Sequence, residues 1–82
     1  MKTETNIKEK VKTILAEALE ASPAEITDDL AIGDLPQWDS MGHMTVISLL
    51  EERFGIEAST DLIAELVSLP AIVKYLEGHS HD

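Results

Sequence analysis

Between Gln37 and Gly55 the chain carries one continuous helix signature, and no other stretch restricts the fold as strongly. Val46, Leu50 and Phe54 recur at i, i+4 and i+8, Ile47 broadens the stripe, and Met44 and Leu49 extend it around the cylinder. This is the period of a helix with one face in a core. Gly55, directly after Phe54, tolerates the left-handed conformation in which helices commonly stop. Asp39 and Ser40 stand at the other end, and both are good N-cap residues. Ser40 is therefore expected to be exposed, near free backbone N–H groups at an end that favours a phosphate. Its hydroxyl has two readings: a plain cap, or the carrier of a phosphate-linked group. Spacing alone leaves both open.

The flanks repeat the helical pattern. Ile7, Val11, Ile14, Leu15, Ala18 and Leu19 predict a core-facing helix over 5–20, capped by Thr5 or Asn6. Ser22-Pro23-Ala24-Glu25 is a capping-box pattern with proline at the first helical position, and predicts one short turn ending near Asp28. Ile26 and Leu30 are expected to anchor the long connection after it. Residues 27–38 read as loop, rich in Asp, Gly and Pro. After a short extended link, Ile56-Glu57-Ala58, either Ser59 or Thr60 caps a brief helix reaching Leu66 or Val67, with Ile63, Leu66 and Val67 facing inward. Ser68 or Leu69 caps the last helix, with Pro70 in its first turn. Ile72, Val73 and Leu76 point to the core, Tyr75 is partly covered, and Gly78 ends the helix. The fold class is all-α, a four-helix antiparallel bundle with a short third helix and a long first loop. At 82 residues the chain is one domain, 1–82, with 78–82 a frayed tail.

Composition narrows the function. One Phe, one Tyr and one Trp leave a mostly aliphatic core. Residues 1–12 hold four lysines against two glutamates, whereas residues 13–82 hold one Arg and one Lys against 14 acids. The net charge of −10 opposes nucleic acid and anionic lipid, and favours partners with basic patches. There is no cysteine, so disulfides and thiolate metal sites are excluded, and any thiol chemistry needs a borrowed sulfur. No stretch could span a membrane, and the N-terminal residues lack an apolar signal region, which suggests a cytoplasmic protein.

Several polar residues have two readings. Asp28, Asp29 and Asp34 could hold a divalent cation weakly or be solvated acids. Trp38 could anchor the approach to Ser40 or form part of a docking surface, the anchor being the stronger reading because an exposed Trp is uncommon in a monomer. Met44 could be docking surface or core. His43 reads as surface polar or as a helix-face packer. Ser40, His43 and Asp39 together do not make a hydrolytic triad, since a histidine one turn along the same cylinder leaves little room for a substrate. No metal site is expected, and His79, His81 and Asp82 read as part of the tail.

The run Asp39-Ser40-Met41, then Leu50-Glu51-Glu52, then Phe54-Gly55-Ile56, resembles the signature around the phosphopantetheine serine of acyl carrier proteins. The likeness covers nearly the whole chain, with a matching helical layout on both sides. It implies a non-enzymatic carrier. A separate phosphopantetheinyl transferase, using magnesium, moves 4′-phosphopantetheine from coenzyme A to Ser40, and the arm's thiol holds an acyl group as a thioester. The resemblance also implies docking through Asp39, Met41, Met44, Glu51, Glu52, Glu57 and Asp61 to acyl-transferring, ligase or synthase enzymes with basic patches. An acyl chain could enter an interior lined by Ile47, Leu50, Ile63, Leu66 and Ile72.

Within that likeness, Met41 replaces the usual Leu, and Gly42, Thr45 and Thr60 stand where acids are common. The approach is DLPQWDS in place of a Gly-Ala-Asp-Ser type. By analogy these departures suit a specialised carrier of polyketide, nonribosomal peptide, lipid or cell-surface pathways over one serving housekeeping fatty-acid enzymes. The expectation is a stand-alone monomeric acyl carrier; the alternatives are an aminoacyl or peptidyl carrier, or an acidic helical adaptor without a cofactor.

Overall fold

Four α-helices and one 3₁₀ turn organise the described residues of the chain. The structure is a computed structural model that describes the backbone of residues 2–79 and the side chains of 7–78. Helix α1 spans Lys2–Leu19, a 3₁₀ turn spans Pro23–Glu25, α2 spans Ser40–Phe54, α3 spans Thr60–Glu65 and α4 spans Leu69–His79. The all-α expectation holds, with the third helix the shortest and the first connection the longest.

The starts of the 3₁₀ turn, α3 and α4 are closed by serines that the sequence offers. Ser22 and Glu25 complete the capping box, Ser59 accepts from the Leu62 N–H at 3.1 Å, and Ser68 accepts from the Ala71 N–H at 3.2 Å. At its far end α2 closes as expected: Gly55 is left-handed, at φ 68°, and its N–H donates to the Glu51 carbonyl at 2.9 Å.

Boundaries differ in four places. Helix α1 begins at Lys2, upstream of the expected Thr5 or Asn6 cap. Its C-terminal turn uses Glu20 in a left-handed conformation, φ 54°, with no glycine there to announce the stop. The 3₁₀ turn ends at Glu25, three residues before Asp28. Gly78 does not end α4: it stays out of the left-handed region, and the helix continues to His79. The expected tail residues Ser80, His81 and Asp82, and the His79 side chain, lie outside the described residues.

One core joins the four helices. Val11, Ile14 and Leu15 from α1 meet Val46, Ile47 and Leu50 from α2, and Leu69, Ile72 and Leu76 from α4. In α3 the inward residues are Leu62 and Leu66, while Ile63 and Val67 are half-buried, which corrects the expected set. With Ser59 as cap, Leu62 and Leu66 fall at i and i+4 and share the inner face. Ile26 and Leu30 anchor the connection as expected.

The long first connection is pinned to the chain on the far side of the core. Ala31 and Ser68 form an antiparallel bridge, in which the Ile32 N–H donates to Val67 at 2.8 Å and the Leu69 N–H donates to Leu30 at 2.8 Å. These bonds satisfy backbone groups that a buried Leu30 takes away from water.

Lys12 and Lys8 reach from α1 to Asp28 at 2.6 and 3.1 Å. The Lys12 hydrogen bond, then that of Lys8, lowers the Asp28 pKa below its ordinary 3.8. The same bond to Asp28 raises Lys12 above 10.5. The carboxylate's contribution is therefore present above pH 3.8 and lost as pH falls through the lowered value. The lysine's contribution is present below pH 10.5 and lost as pH rises through the raised value. Asp28→Asn is expected to lower the urea midpoint slightly at pH 7, with the difference from wild type vanishing in strong acid. A difference that persists there would show that the contact is not ionic.

Candidate functional site

The turn from Trp38 to Gly42 concentrates the unusual geometry of the chain. Asp39 is the N-cap of α2: its backbone is extended and its Oδ1 accepts from the Gly42 N–H at 2.9 Å. Ser40 is thus the first helical residue and not the cap. Its side chain is exposed, and its hydroxyl makes no hydrogen bond among the described residues. The N–H groups of Ser40 and Met41 are among those that a helix start leaves without a helical carbonyl. The result is a free hydroxyl at the positive end of a 15-residue helix.

Gly42 allows this turn to close. A Cβ at that position would lie 2.0 Å from the Gln37 carbonyl oxygen and 3.3 Å from Leu19 Cδ2. The glycine is not merely a weak helix former, as its sequence position suggests; the Gln37 backbone passes where any side chain would stand.

Below the turn lies a buried polar bridge. Trp38 is fully buried, and its indole Nε1–H donates to His43 Nδ1 at 3.0 Å. The His43 Nε2 lies 2.8 Å from the Ile63 carbonyl of α3. An indole N–H only donates and a carbonyl only accepts, so the ring is neutral, with Nδ1 bare and Nε2 protonated. Trp38 is therefore an anchor and not docking surface. His43 is 5% exposed, which corrects the surface-polar reading and fits the helix-face packer. With both ring nitrogens engaged, neither serves Ser40, and the Asp39 carboxylate is turned to Gly42; the three form no triad.

The remaining candidates separate by exposure. Met41 is 81% exposed and Met44 49%, so Met44 is surface and not core. Asp39, Glu52, Glu57 and Asp61 are exposed. Glu51 is half-buried and accepts from the Ala58 N–H at 3.0 Å, holding the link after α2 in place. Ile47, Leu50, Leu66 and Ile72 are buried together, and Ile63 packs against them. Two open clefts, of about 440 and 320 Å³, are lined by other residues, including Thr13 and Phe54 in one and Pro70 and Val73 in the other. Arg53, at the end of α2, pairs with Glu17 of α1 at 2.8 Å, and this bond raises the Arg53 pKa.

The three loop acids have partners of their own. Asp34 accepts from the Ala31 N–H at 2.9 Å, Asp29 from the Thr27 hydroxyl at 3.1 Å, and Asp28 meets its lysines. Among the described residues no group of three or more His, Cys, Asp or Glu could hold a metal ion. No described helix is long and apolar enough to cross a membrane.

The family model for the phosphopantetheine attachment site matches residues 9–76. The chain belongs to the phosphopantetheine-binding carrier family. Among curated relatives of this carrier, the acyl carrier protein of Chlamydia trachomatis is 28% identical over 76 residues, which cover 93% of this chain and 99% of that one. The acyl carrier protein of Helicobacter pylori is 31% identical over 72 residues, covering 87% of this chain and 91% of that one. The group that such a carrier bears is 4′-phosphopantetheine. A carrier of this family interacts with a phosphopantetheinyl transferase and with acyl-handling enzymes, and is not itself an enzyme.

Sequence reasoning missed the Trp38–His43–Ile63 bridge and the reason for Gly42. A weak signal existed for the first. A buried Trp needs a partner for its N–H, and a histidine five positions on, one turn into the helix, is within reach. The approach of Gln37 to Gly42 had no sequence signal, because it depends on the path of the loop.

Proposed function

We propose that Ser40 is the attachment serine of a single carrier domain spanning 1–82. The observation that carries this is the division of labour at the turn: Asp39 caps α2, which leaves the adjacent hydroxyl exposed and unbonded. Phosphopantetheine suits the site, since a phosphate on the Ser40 oxygen would sit beside the N–H groups that open the helix. When bound, the arm supplies a thiol that this chain lacks, and so a thioester linkage for acyl cargo. Incubation with coenzyme A and a broad phosphopantetheinyl transferase is expected to add one arm per chain, read by intact mass. A chain that remains unmodified would overturn the assignment.

The carrier works in the cytoplasm as a monomer and delivers acyl groups to partners in fatty-acid or specialised biosynthesis. Thr45 and Thr60, exposed where acids are common in the family, support a specialised set of partners. Docking uses the exposed outer side of α2 and the link and helix start beyond it. Asp39, Glu52, Glu57 and Asp61 supply charge, and Met41 and Met44 supply adaptable apolar contact. Glu51 contributes by holding Ala58 as well as by its charge. Ile47, Leu50, Ile63, Leu66 and Ile72 would shelter an acyl chain only by moving apart from their present packing.

Electrostatic docking has a measurable signature. Association with a basic partner is expected to slow by about tenfold or more from low to high salt, on the scale of electrostatic steering. Glu52→Lys is expected to slow it further without loss of helix, since Glu52 is exposed. Stopped-flow association of the carrier without its arm with a phosphopantetheinyl transferase checks both; a rate independent of salt would remove the electrostatic account.

A further inference from the structure

We propose that His43 is a positioning residue for the attachment serine, clamping the presenting turn to α3; this rests on the Ser40 reading above. Trp38 stands two residues before Ser40 and His43 three residues after it. The bond from the indole N–H to His43 Nδ1 closes the base of that short segment. The base is buried, and Ser40 lies exposed on the stretch between its two ends. Because both anchors are packed in the core, the path from Asp39 to Gly42 has little freedom. The Gln37 backbone against Gly42 removes more of it.

The other side of the ring reaches across the fold. Ile63 lies in the last turn of α3, where helix carbonyls have no helical donor of their own. His43 Nε2–H supplies that donor at 2.8 Å. Helix α3 has only six residues, too few to hold itself without tertiary support. One imidazole thus sets both the base of the serine turn and the end of α3. Displacing α3 stretches the same ring that holds Trp38, so the two movements are coupled. No buried side-chain nitrogen or oxygen among the described residues lacks a partner, and removing the imidazole would orphan the indole N–H.

The test measures transferase loading of the full chain below its unfolding midpoint, with kcat and KM resolved. His43→Leu keeps bulk but neither bond, and is expected to lower kcat by about tenfold, since a small misplacement of a reacting group costs on this scale. KM is expected to change less than kcat, because the docking residues Glu52 and Glu57 lie outside the clamped turn. His43→Gln, which retains one acceptor and one donor, is expected to recover part of the loss. Trp38→Phe keeps most of the packing, and decides by the same kcat criterion should His43→Leu fail to fold. In the wild-type protein, ¹⁵N spectra are expected to show a bare Nδ1 and a protonated Nε2, with the Trp38 indole proton protected from exchange. Folded variants with wild-type kcat, a change confined to KM, or the opposite tautomer would each overturn the role of His43. Wild-type protein that takes up no arm at all would instead overturn the Ser40 reading, and this role with it.

Discussion

Ser40→Ala is expected to abolish uptake of the phosphopantetheine arm while leaving stability within about 0.5 kcal/mol of wild type, as for an exposed substitution without a structural bond. The reason is that the serine does not cap its own helix. Asp39 accepts the Gly42 N–H, and the Ser40 hydroxyl bonds nothing among the described residues. Alanine is also the better helix former at a first helical position. Asp39→Ala should instead lose about 1 kcal/mol of stability with the cap and still take up the arm, though more slowly, because it also removes a docking charge. Intact mass after incubation with coenzyme A and transferase, together with urea unfolding of both variants, separates the two roles. Arm uptake by Ser40→Ala would place the attachment elsewhere. A stability loss in Ser40→Ala comparable to that of Asp39→Ala would make the serine part of the cap.

Gly42→Ala is the substitution expected to cost the fold most for a single added methyl. Helix propensity alone favours alanine by about 1 kcal/mol. Against that, the new Cβ would stand 2.0 Å from the Gln37 carbonyl oxygen and 3.2 Å from its carbon. The obstacle is backbone and cannot swing away as a side-chain tip could. Overpacking of this kind costs about 1–3 kcal/mol and sometimes more, so after the propensity gain a net loss of about 1 kcal/mol or more is expected. Loading at Ser40 should slow as well, because relief of the clash requires the approach from Gln37 to Asp39 to shift. Urea unfolding and loading kinetics on the same variant check both effects. A gain of about 1 kcal/mol would show that the loop yields without cost and that propensity decides.

Much of this molecule was readable from local pattern. The stripe through Val46, Leu50 and Phe54, the stop at Gly55 and the box from Ser22 to Glu25 each involve residues within about one turn of one another. Such features depend on a few neighbouring residues and keep their meaning wherever the segment docks. The exposure of Ser40 came from the same logic, though not which of two adjacent cap candidates would do the capping. The limits of local pattern show at Glu20, which takes the left-handed stop of α1 without glycine, and at Gly78, which does not stop α4.

By itself the sequence determined which residues form helices, which faces seek the core, and that an acidic chain without cysteine presents a serine at the head of its central helix. Only the tertiary structure decided that Gly42 must lack a side chain, that Trp38 and His43 share a buried bond, that Ile63 and not solvent receives the other imidazole nitrogen, and that Glu51 is tied to Ala58. Periodicity reports that a face is buried but not what covers it. Those partners are chosen where distant segments return to meet, and a backbone carbonyl carries no trace of that meeting in its own residue type.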